Sequence, residues 1–427
     1  MADLADSKRA RFGNGVDTSR ESRLVAEFDS DRAPDVTFQI LDIKYLLEAN
    51  ANAPAGTGPL PVVHLIGRTS AADGSKDVLC RVHDFEPYFY CMPRNDTICV
   101  DAVNSDHLLN RLNDLTRHNG CAAVKRVELV EREPLYNYKG KTANRKRPMF
   151  LVTCAQPSFV SKCKEFLHAG IVIGDGLFGK FDVFEANVDF ILRFNIDLGI
   201  PGCGWVTCPA DSLHHRVTHE KVSRCAIEFD MSCKDLKPRP EINASAPFVI
   251  LSLDIECVAK GSHFPKSSTD PICQISLVLS KIGKAELDSK HLLTVGDCAP
   301  IDDVNLICCA NEADLLNRFF DFIVTNNPDF LATFNGDSFD LTYIFARASL
   351  LQIPTAKQRC GRLHRQDVTC TIRQMQTNAS GQRDMYSWNF WGRMSFDTRT
   401  YMLKYQKMSQ YSLEAAADTF LDRHKED

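Results

Sequence analysis

The chain has no stretch of eighteen uninterrupted apolar residues, so we expect no membrane span. None of its 17 cysteines forms a CxxC pair, which argues against a zinc finger, and their odd number argues against a disulfide framework. The first thirty residues are polar and charged and do not resemble a secretory signal. With 22 glycines and 19 prolines in 427 residues, collagen-like and low-complexity architectures are excluded. These absences predict a soluble, multidomain, intracellular chain.

The sequence also lacks an overall basic charge, because 50 Lys and Arg are outweighed by 55 Asp and Glu, for a net charge of −5. Residues 125–147 are locally basic, with eight Lys or Arg and two tyrosines. Such a segment can hold a phosphate backbone, but a solvated loop between two strands is an equally good interpretation. The candidate nucleic-acid-binding residues in this segment are Lys139, Lys141, Arg145 and Lys146.

The sequence divides into three regions. Residues 1–34 are charged and poor in large apolar groups, which predicts a disordered tail. Residues 35–245 contain short apolar or alternating runs bounded by turn residues, which predicts a β-rich N-terminal domain. Residues 246–427 alternate strand and helix patterns, including a helix at 312–326, as in an α/β domain with a partly parallel sheet. The predicted fold class is therefore α+β followed by α/β.

Two acids interrupt the apolar run FVILSLDIECVA at the start of the third region. Asp254 and Glu256 are two residues apart, so on a strand both carboxylates face the same side. We expect a central strand buried on both faces, where two carboxylates oppose each other's ionisation. A hard divalent cation would remove this conflict. The pair Asp84 and Glu86 has the same spacing, but it precedes Pro87 at a strand end and is interpreted as ordinary.

A third acid follows in ATFNGDSFDLTYIF, which predicts a strand, a polar turn and a helix start. Asn335 ends the strand, and Asp340 lies in the first helical turn. An acid there is favoured by the helix dipole alone, but Asp337 is the better candidate for the cap. Asp340 is therefore expected to point toward Asp254 and Glu256.

These segments resemble the first and second exonuclease motifs of family B DNA polymerases. The first motif is LSLDIEC followed by FPKSSTDPICQISLVL, and the second is ATFNGDSFDLTYI. DVLCRVHDFEPYFYCMP is similar to a strand of the family's N-terminal domain. FEANVDFILRFNIDLGIPGCGWV and RMSFDTRTYMLKYQKMSQYSLEAAADTFL are similar to segments of the delta type. The resemblance covers about residues 35–427, with the blocks in the family's order.

The resemblance implies a ribonuclease H-like domain with a two-metal 3′→5′ proofreading exonuclease. Asp254 would bridge two Mg²⁺ ions, which Mn²⁺ can replace, Glu256 would complete one site, and Asp340 would hold the other ion. Asn335 and Phe339 would shape the pocket for a frayed 3′ nucleotide. The implied partners are a DNA primer–template with a single-stranded 3′ end, accessory subunits and a sliding clamp, and the implied location is the nucleus.

Several features depart from the family pattern. Its third exonuclease motif, a Tyr followed four residues later by an Asp, is absent after Asp340, and no polymerase signature is present. We therefore expect the N-terminal part of a larger polymerase, with the exonuclease domain incomplete at its C-terminus. The alternatives are a catalytically inactive nucleic-acid-binding or scaffold module, and a self-contained nuclease whose fourth ligand is Asp418 or Asp422. A polymerase of a large DNA virus would carry the same motifs.

Two further features are interpreted structurally. Asp397 follows a strand-like segment and receives no metal role. Aromatic residues near Trp388 are explained by core packing, but the family has a β-hairpin here that helps part primer from template, with Met375–Asp384 as its expected tip.

Overall fold

The computed structural model describes residues 34–49, 58–94, 98–116, 122–133, 146–174, 176–259, 261, 263–377 and 381–424. Side chains are described in these ranges except at 375–377 and 381–383. The predicted disordered tail, apart from Pro34, lies outside the described residues, as do Lys139, Lys141 and Arg145. Within the described ranges, no helix has the length and apolarity needed to cross a bilayer.

The first 240 residues form most of the β-structure. The elements in chain order are β1 (Val36–Glu48), β2 (Leu60–Thr69), β3 (Asp77–His83), β4 (Tyr88–Pro93), α1 (Ala102–Thr116), β5 (Val124–Arg132), β6 (Arg147–Cys154), α2 (Pro157–Ala169), β7 (Ile171–Ile173), β8 (Leu177–Gly179), β9 (Phe181–Phe184), α3 (Phe190–Leu198), β10 (Trp205–Cys208), β11 (His214–His215), β12 (Ile227–Ser232) and β13 (Lys237–Pro238).

The remaining residues alternate strands and helices. They form β14 (Val249–Cys257), β15 (Ile272–Lys281), β16 (Ser289–Val295), β17 (Asn305–Cys309), α4 (Glu312–Asn326), β18 (Phe330–Thr333), α5 (Asp340–Leu350), α6 (Ala356–Cys360), β19 (Thr369–Thr377), β20 (Gly381–Asn389), β21 (Met394–Asp397), α7 (Thr398–Tyr405) and α8 (Leu413–Leu421).

The N-terminal strands build two main sheets. A seven-stranded sheet has the order β11-β12-β3-β2-β1-β10-β13, and a four-stranded sheet has the order β5-β6-β4-β9. Helices α1 and α2 pack against the four-stranded sheet, where Leu108 and Leu167 join a core that includes Phe89 and Phe150. The strands β7 and β8 form a separate pair.

The C-terminal strands build a six-stranded sheet of order β17-β16-β15-β14-β18-β21. Strand β14 runs parallel to β18, which runs parallel to β21, whereas β15 is antiparallel to β14. Helices α4 and α5 share one core with this sheet, including Leu251, Leu253, Phe319 and Ile344. The helix pattern at 312–326 coincides with α4, and Asn311 caps it by accepting from the backbone N–H of Asp314.

A β-hairpin of β19 and β20 follows α6, with Thr377 paired to Gly381. The hairpin implied by the resemblance is therefore present, and its turn residues 378–380 lie outside the described ranges. Trp388 is half-buried and packs on Phe345 and Phe390 with centroid distances of 5.2 and 5.8 Å, at the border of the core. These contacts fit the interpretation by core packing. The boundary between residues 245 and 246 stays a prediction.

Candidate active site

Strand β14 carries Asp254 and Glu256 on one face, as the spacing predicted. It is central in the sheet, but the prediction that both of its faces are buried is wrong. Leu251, Leu253 and Ile255 face the core, whereas Asp254 and Glu256 are exposed. The helices α4 and α5 contribute to the core on the leucine face only, so water reaches the two acids on the other side.

Asp340, the first residue of α5, is buried beside β14 with only 3% of its surface exposed. Its Oδ1 accepts a hydrogen bond of 3.2 Å from the backbone N–H of Ile255, the residue between the two strand acids. Burial raises the pKa of Asp340 to about 7, together with the carboxylate of Asp254, to which it is hydrogen bonded. The expected approach of Asp340 to β14 is thus present in the structure.

The turn between β18 and α5 is hydrogen bonded to Asp397, the last residue of β21. The carboxylate of Asp397 accepts from the backbone N–H of Asn335 at 3.0 Å and of Asp337 at 3.3 Å. It also caps α7 by accepting from Thr400 N–H at 3.0 Å, so its structural interpretation fits these contacts. Asn335 has a left-handed backbone with φ of 67°, a conformation that asparagine tolerates better than most residues.

The prediction that Asp337 caps α5 is wrong. The residue at the cap position is Phe339, and the Asp337 carboxylate instead accepts from Ser395 Oγ at 2.9 Å. Asp337 therefore faces β21 rather than the free N–H groups of the helix. Burial raises the pKa of Asp337 to about 6, with a further contribution from the nearby Asp397 carboxylate.

An aromatic surface lies beside the acids. Phe339 contacts Tyr343 and Phe264 with centroid distances of 5.5 and 5.3 Å. Phe264 is 74% exposed although it is a large apolar side chain. Phe264 opens the block FPKSSTDPICQISLVL of the first motif, but no pattern in the sequence assigned it a role of its own. Its exposure in the folded chain is what distinguishes it.

The carboxyl groups of Asp254 and Asp340 lie next to each other. Their oxygens are the kind of ligand that a hard divalent cation prefers. Their mutual repulsion and the burial of Asp340 would be relieved by a divalent ion. However, the described part of the chain contains no group of three or more His, Cys, Asp or Glu side chains arranged to hold a metal. The structure thus joins Asp254 with Asp340, and Glu256 lies on the same strand face without completing such a group.

The basic segment is only partly described. Its first two cations, Lys125 and Arg126, form ion pairs with Glu86, and Lys146 is exposed just before β6. The segment does connect two paired strands, β5 and β6. A role for Lys146 and its neighbours in binding DNA stays a prediction.

Comparisons with known proteins agree with this fold. The family model described as "DNA polymerase family B, exonuclease domain" matches residues 181–416. The chain is 32% identical to the DNA polymerase delta catalytic subunit of Glycine max over 406 residues, which cover 92% of this chain and 36% of that protein. The corresponding protein of Oryza sativa subsp. japonica is also 32% identical, over 96% of this chain and 37% of the relative.

A solved structure supports the fold. The family B DNA polymerase from the hyperthermophilic archaeon Pyrobaculum calidifontis aligns with a TM-score of 0.59 at 19% identity, over 91% of this chain and 40% of that one. At 19% identity, this similarity supports the fold alone. A β-rich N-terminal domain followed by a ribonuclease H-like exonuclease domain is therefore confirmed.

The fold and the family model define an exonuclease-type domain. The chain belongs to the family B DNA polymerases, through the exonuclease domain of that family. This confirms the resemblance to the family B DNA polymerases seen in the motifs, and the relatives named above are DNA polymerase delta catalytic subunits. Membership implies the use of divalent metal ions in general. The chain spans little more than a third of the length of the curated relatives it matches.

Proposed function

We propose that this chain carries a 3′→5′ exonuclease that removes a mismatched nucleotide from the 3′ end of a DNA primer. The observation that carries the proposal is the contact between Asp340 and β14, which joins the carboxyls of Asp340 and Asp254 at the C-terminal half of a central strand. Family membership supports the reaction class. A catalytically inactive scaffold has no observation in its favour.

The candidate ligands of two Mg²⁺ ions are Asp254, Glu256 and Asp340. When bound, the ions would supply Lewis-acid activation of water and would stabilise the leaving 3′ oxygen. In this hydrolysis a water oxygen would bond to the phosphorus of the terminal phosphodiester, the bond from phosphorus to the 3′ oxygen would break, and a water proton would pass to that oxygen. A nucleoside 5′-monophosphate would leave. The rigid positions of β14 and α5 hold the carboxylates in place before substrate arrives, which lowers the reorganisation that catalysis requires.

Phe339 and Phe264 would bind the terminal nucleotide. Stacking on an aromatic ring is available to every base, so it suits an enzyme that must accept any 3′ end. A terminus that is already unpaired reaches the site at lower cost, which favours mismatched ends. Asn335 lies at the same end of the sheet and would contact the strand beside the aromatic pair.

The proposed cellular role, location and partners are based on the named relatives. Because these are DNA polymerase delta catalytic subunits, we propose a replicative role in the nucleus, with a primer–template as substrate. Accessory subunits and a sliding clamp are the corresponding proposed protein partners.

The test is a 3′→5′ exonuclease assay on a 5′-labelled primer with a mismatched 3′ end, in Mg²⁺ and separately in EDTA. The variant Asp254→Ala/Glu256→Ala removes the strand acids. The matched control Asp106→Ala/Glu165→Ala removes two exposed helical acids of the N-terminal half. We expect Mg²⁺-dependent trimming by the wild type and the control, and a loss of at least about 100-fold in the strand variant.

Two results would count against the proposal. Equal trimming by the wild type and the strand variant would place the chemistry elsewhere. Stable binding of the mismatched primer without any trimming in Mg²⁺ or Mn²⁺ would favour the inactive binding module.

A further inference from the structure

A polar groove lies beside the candidate site, with Asn335 at its border. Its volume is about 730 Å³. The groove is lined by Phe334, Asn335, Arg399, Ser409, Gln410, Tyr411 and Ser412. Among these lining residues, all of which the structure describes, Arg399 is the one charged side chain and no carboxylate is present. An acid-free groove is notable in a chain whose net charge is −5.

The sheet topology places this groove next to the carboxylates. The strands β14, β18 and β21 are parallel neighbours, so their carboxyl ends lie at one edge of the sheet. Ala332 pairs with Ser252, two residues before Asp254, and Thr333 pairs with Asp397. Adjacent strands are about 4.8 Å apart, so the end of β21 is roughly 10 Å from β14. Ligands of open α/β sheets bind outside such carboxyl ends.

Arg399 is positioned by the folded chain rather than left free on the surface. It lies in the first turn of α7 and is half-buried. Its Nη1 donates to Oδ1 of Asn335 at 3.2 Å, and its Nε donates to the carbonyl oxygen of Tyr411 at 3.2 Å. Both partners are neutral, and no carboxylate forms an ion pair with Arg399 in the described part of the chain. A guanidinium has five N–H donors, so donors remain for an anion.

We propose that Arg399 binds a backbone phosphate of the single-stranded DNA segment that leads to the scissile bond. The groove would hold that segment along the carboxyl ends of β18 and β21, with Arg399 supplying the charge and Asn335, Ser409 and Gln410 supplying neutral hydrogen bonds. A cation in a groove of small polar side chains binds a strand without reading its sequence. Arg399 is therefore a substrate-positioning residue, and this inference rests on the proposed function.

The test measures binding without cleavage. A fluorescein-labelled single-stranded dT₁₂ is titrated with the full chain in EDTA, and the affinity is followed by anisotropy at several salt concentrations. The variants are Arg399→Gln, which removes the charge, and Arg399→Lys, which keeps it. The matched control is Arg318→Gln, an exposed arginine of α4 that pairs with Asp314.

A phosphate contact on a single strand contributes about 0.7 to the slope of log affinity against log salt concentration. We expect Arg399→Gln to lose about that amount, Arg399→Lys to retain it, and Arg318→Gln to match the wild type. Thermal unfolding of each variant checks that the fold is intact. A purely structural arginine would change the unfolding temperature and leave the salt slope unchanged, which would overturn the proposal.

The outcomes separate this inference from the function on which it rests. If the wild type trims DNA and Arg399→Gln binds dT₁₂ with an unchanged slope, the groove proposal fails and the exonuclease stands. If the wild type neither trims nor binds DNA, both fail.

Discussion

At the scale of single residues, Asp340 is the most instructive side chain of the candidate site. It is almost fully buried and is hydrogen bonded to a second carboxyl, that of Asp254. Both conditions disfavour its ionised form in the absence of a cation. The fold tolerates this cost because the backbone N–H of Ile255 fixes one of its oxygens. Such local conflicts are typical of positions retained for binding rather than for stability.

This conflict gives a prediction for Asp340→Asn. In EDTA at pH 8 the amide keeps the hydrogen bond to Ile255 and removes the repulsion, so we expect the free energy of unfolding to rise by on the order of 2 kcal/mol. Added Mg²⁺ should stabilise the wild type against urea but not the variant. The control Asp321→Asn changes an exposed acid and should have little effect. Destabilisation of the metal-free Asp340→Asn protein would contradict this account.

At the scale of elements, the site is made by three parallel strand ends and by the turns that leave them. The nearly continuous apolar run predicted strand β14, and the two-residue spacing of Asp254 and Glu256 predicted that they share one face. The pattern at 312–326 predicted α4. The exposure of that face could not be predicted, because a continuous apolar run does not reveal which side the helices cover. The role of Asp397 was equally hidden, since its contact with the Asn335 turn depends on the pairing of strands 60 residues apart.

The Asp397 carboxylate both holds the turn before α5 and caps α7. Its removal is therefore expected to lower the free energy of unfolding by more than the loss of an ordinary cap. An ordinary helix cap contributes about 1 kcal/mol. Asp397→Ala also leaves the N–H groups of Asn335 and Asp337 without their acceptor, so we expect a loss of about 2–4 kcal/mol in urea unfolding. Exonuclease activity should fall as well, because the turn that precedes Asp340 loosens. Asn311→Ala removes the cap of α4 alone and serves as the control; equal effects of both substitutions would refute the joining role.

At the scale of the whole molecule, buried charges connect the seven-stranded and six-stranded sheets. Asp329, just before β18, is fully buried. It accepts from Nε of Arg68 on β2 at 2.6 Å and from Nη2 of Arg362 at 2.7 Å. Two further contacts cross the same interface, from Asn327 to Asp77 at 2.7 Å and from Gly392 N–H to Asp42 at 3.0 Å. The orientation of the sheets is therefore specified by polar pairs as well as by packing.

Replacing this central acid tests how strongly the sheets are coupled. Asp329→Asn leaves Arg68 and Arg362 buried without a counter-charge, a change that typically costs about 3–5 kcal/mol, whereas the exposed Asp321→Asn should cost under about 1 kcal/mol.

Burial alone would raise the pKa of Asp329, but Arg362 and Arg68 lower it below its ordinary value. The contribution of this carboxylate is thus complete at neutral pH and is lost as the pH falls through its lowered pKa. Urea unfolding at pH 7 and below pH 4 measures the difference in the free energy of unfolding between wild type and Asp329→Asn, and we expect this difference to shrink in acid. A difference that is independent of pH would mean that the charge of Asp329 does not couple the two sheets.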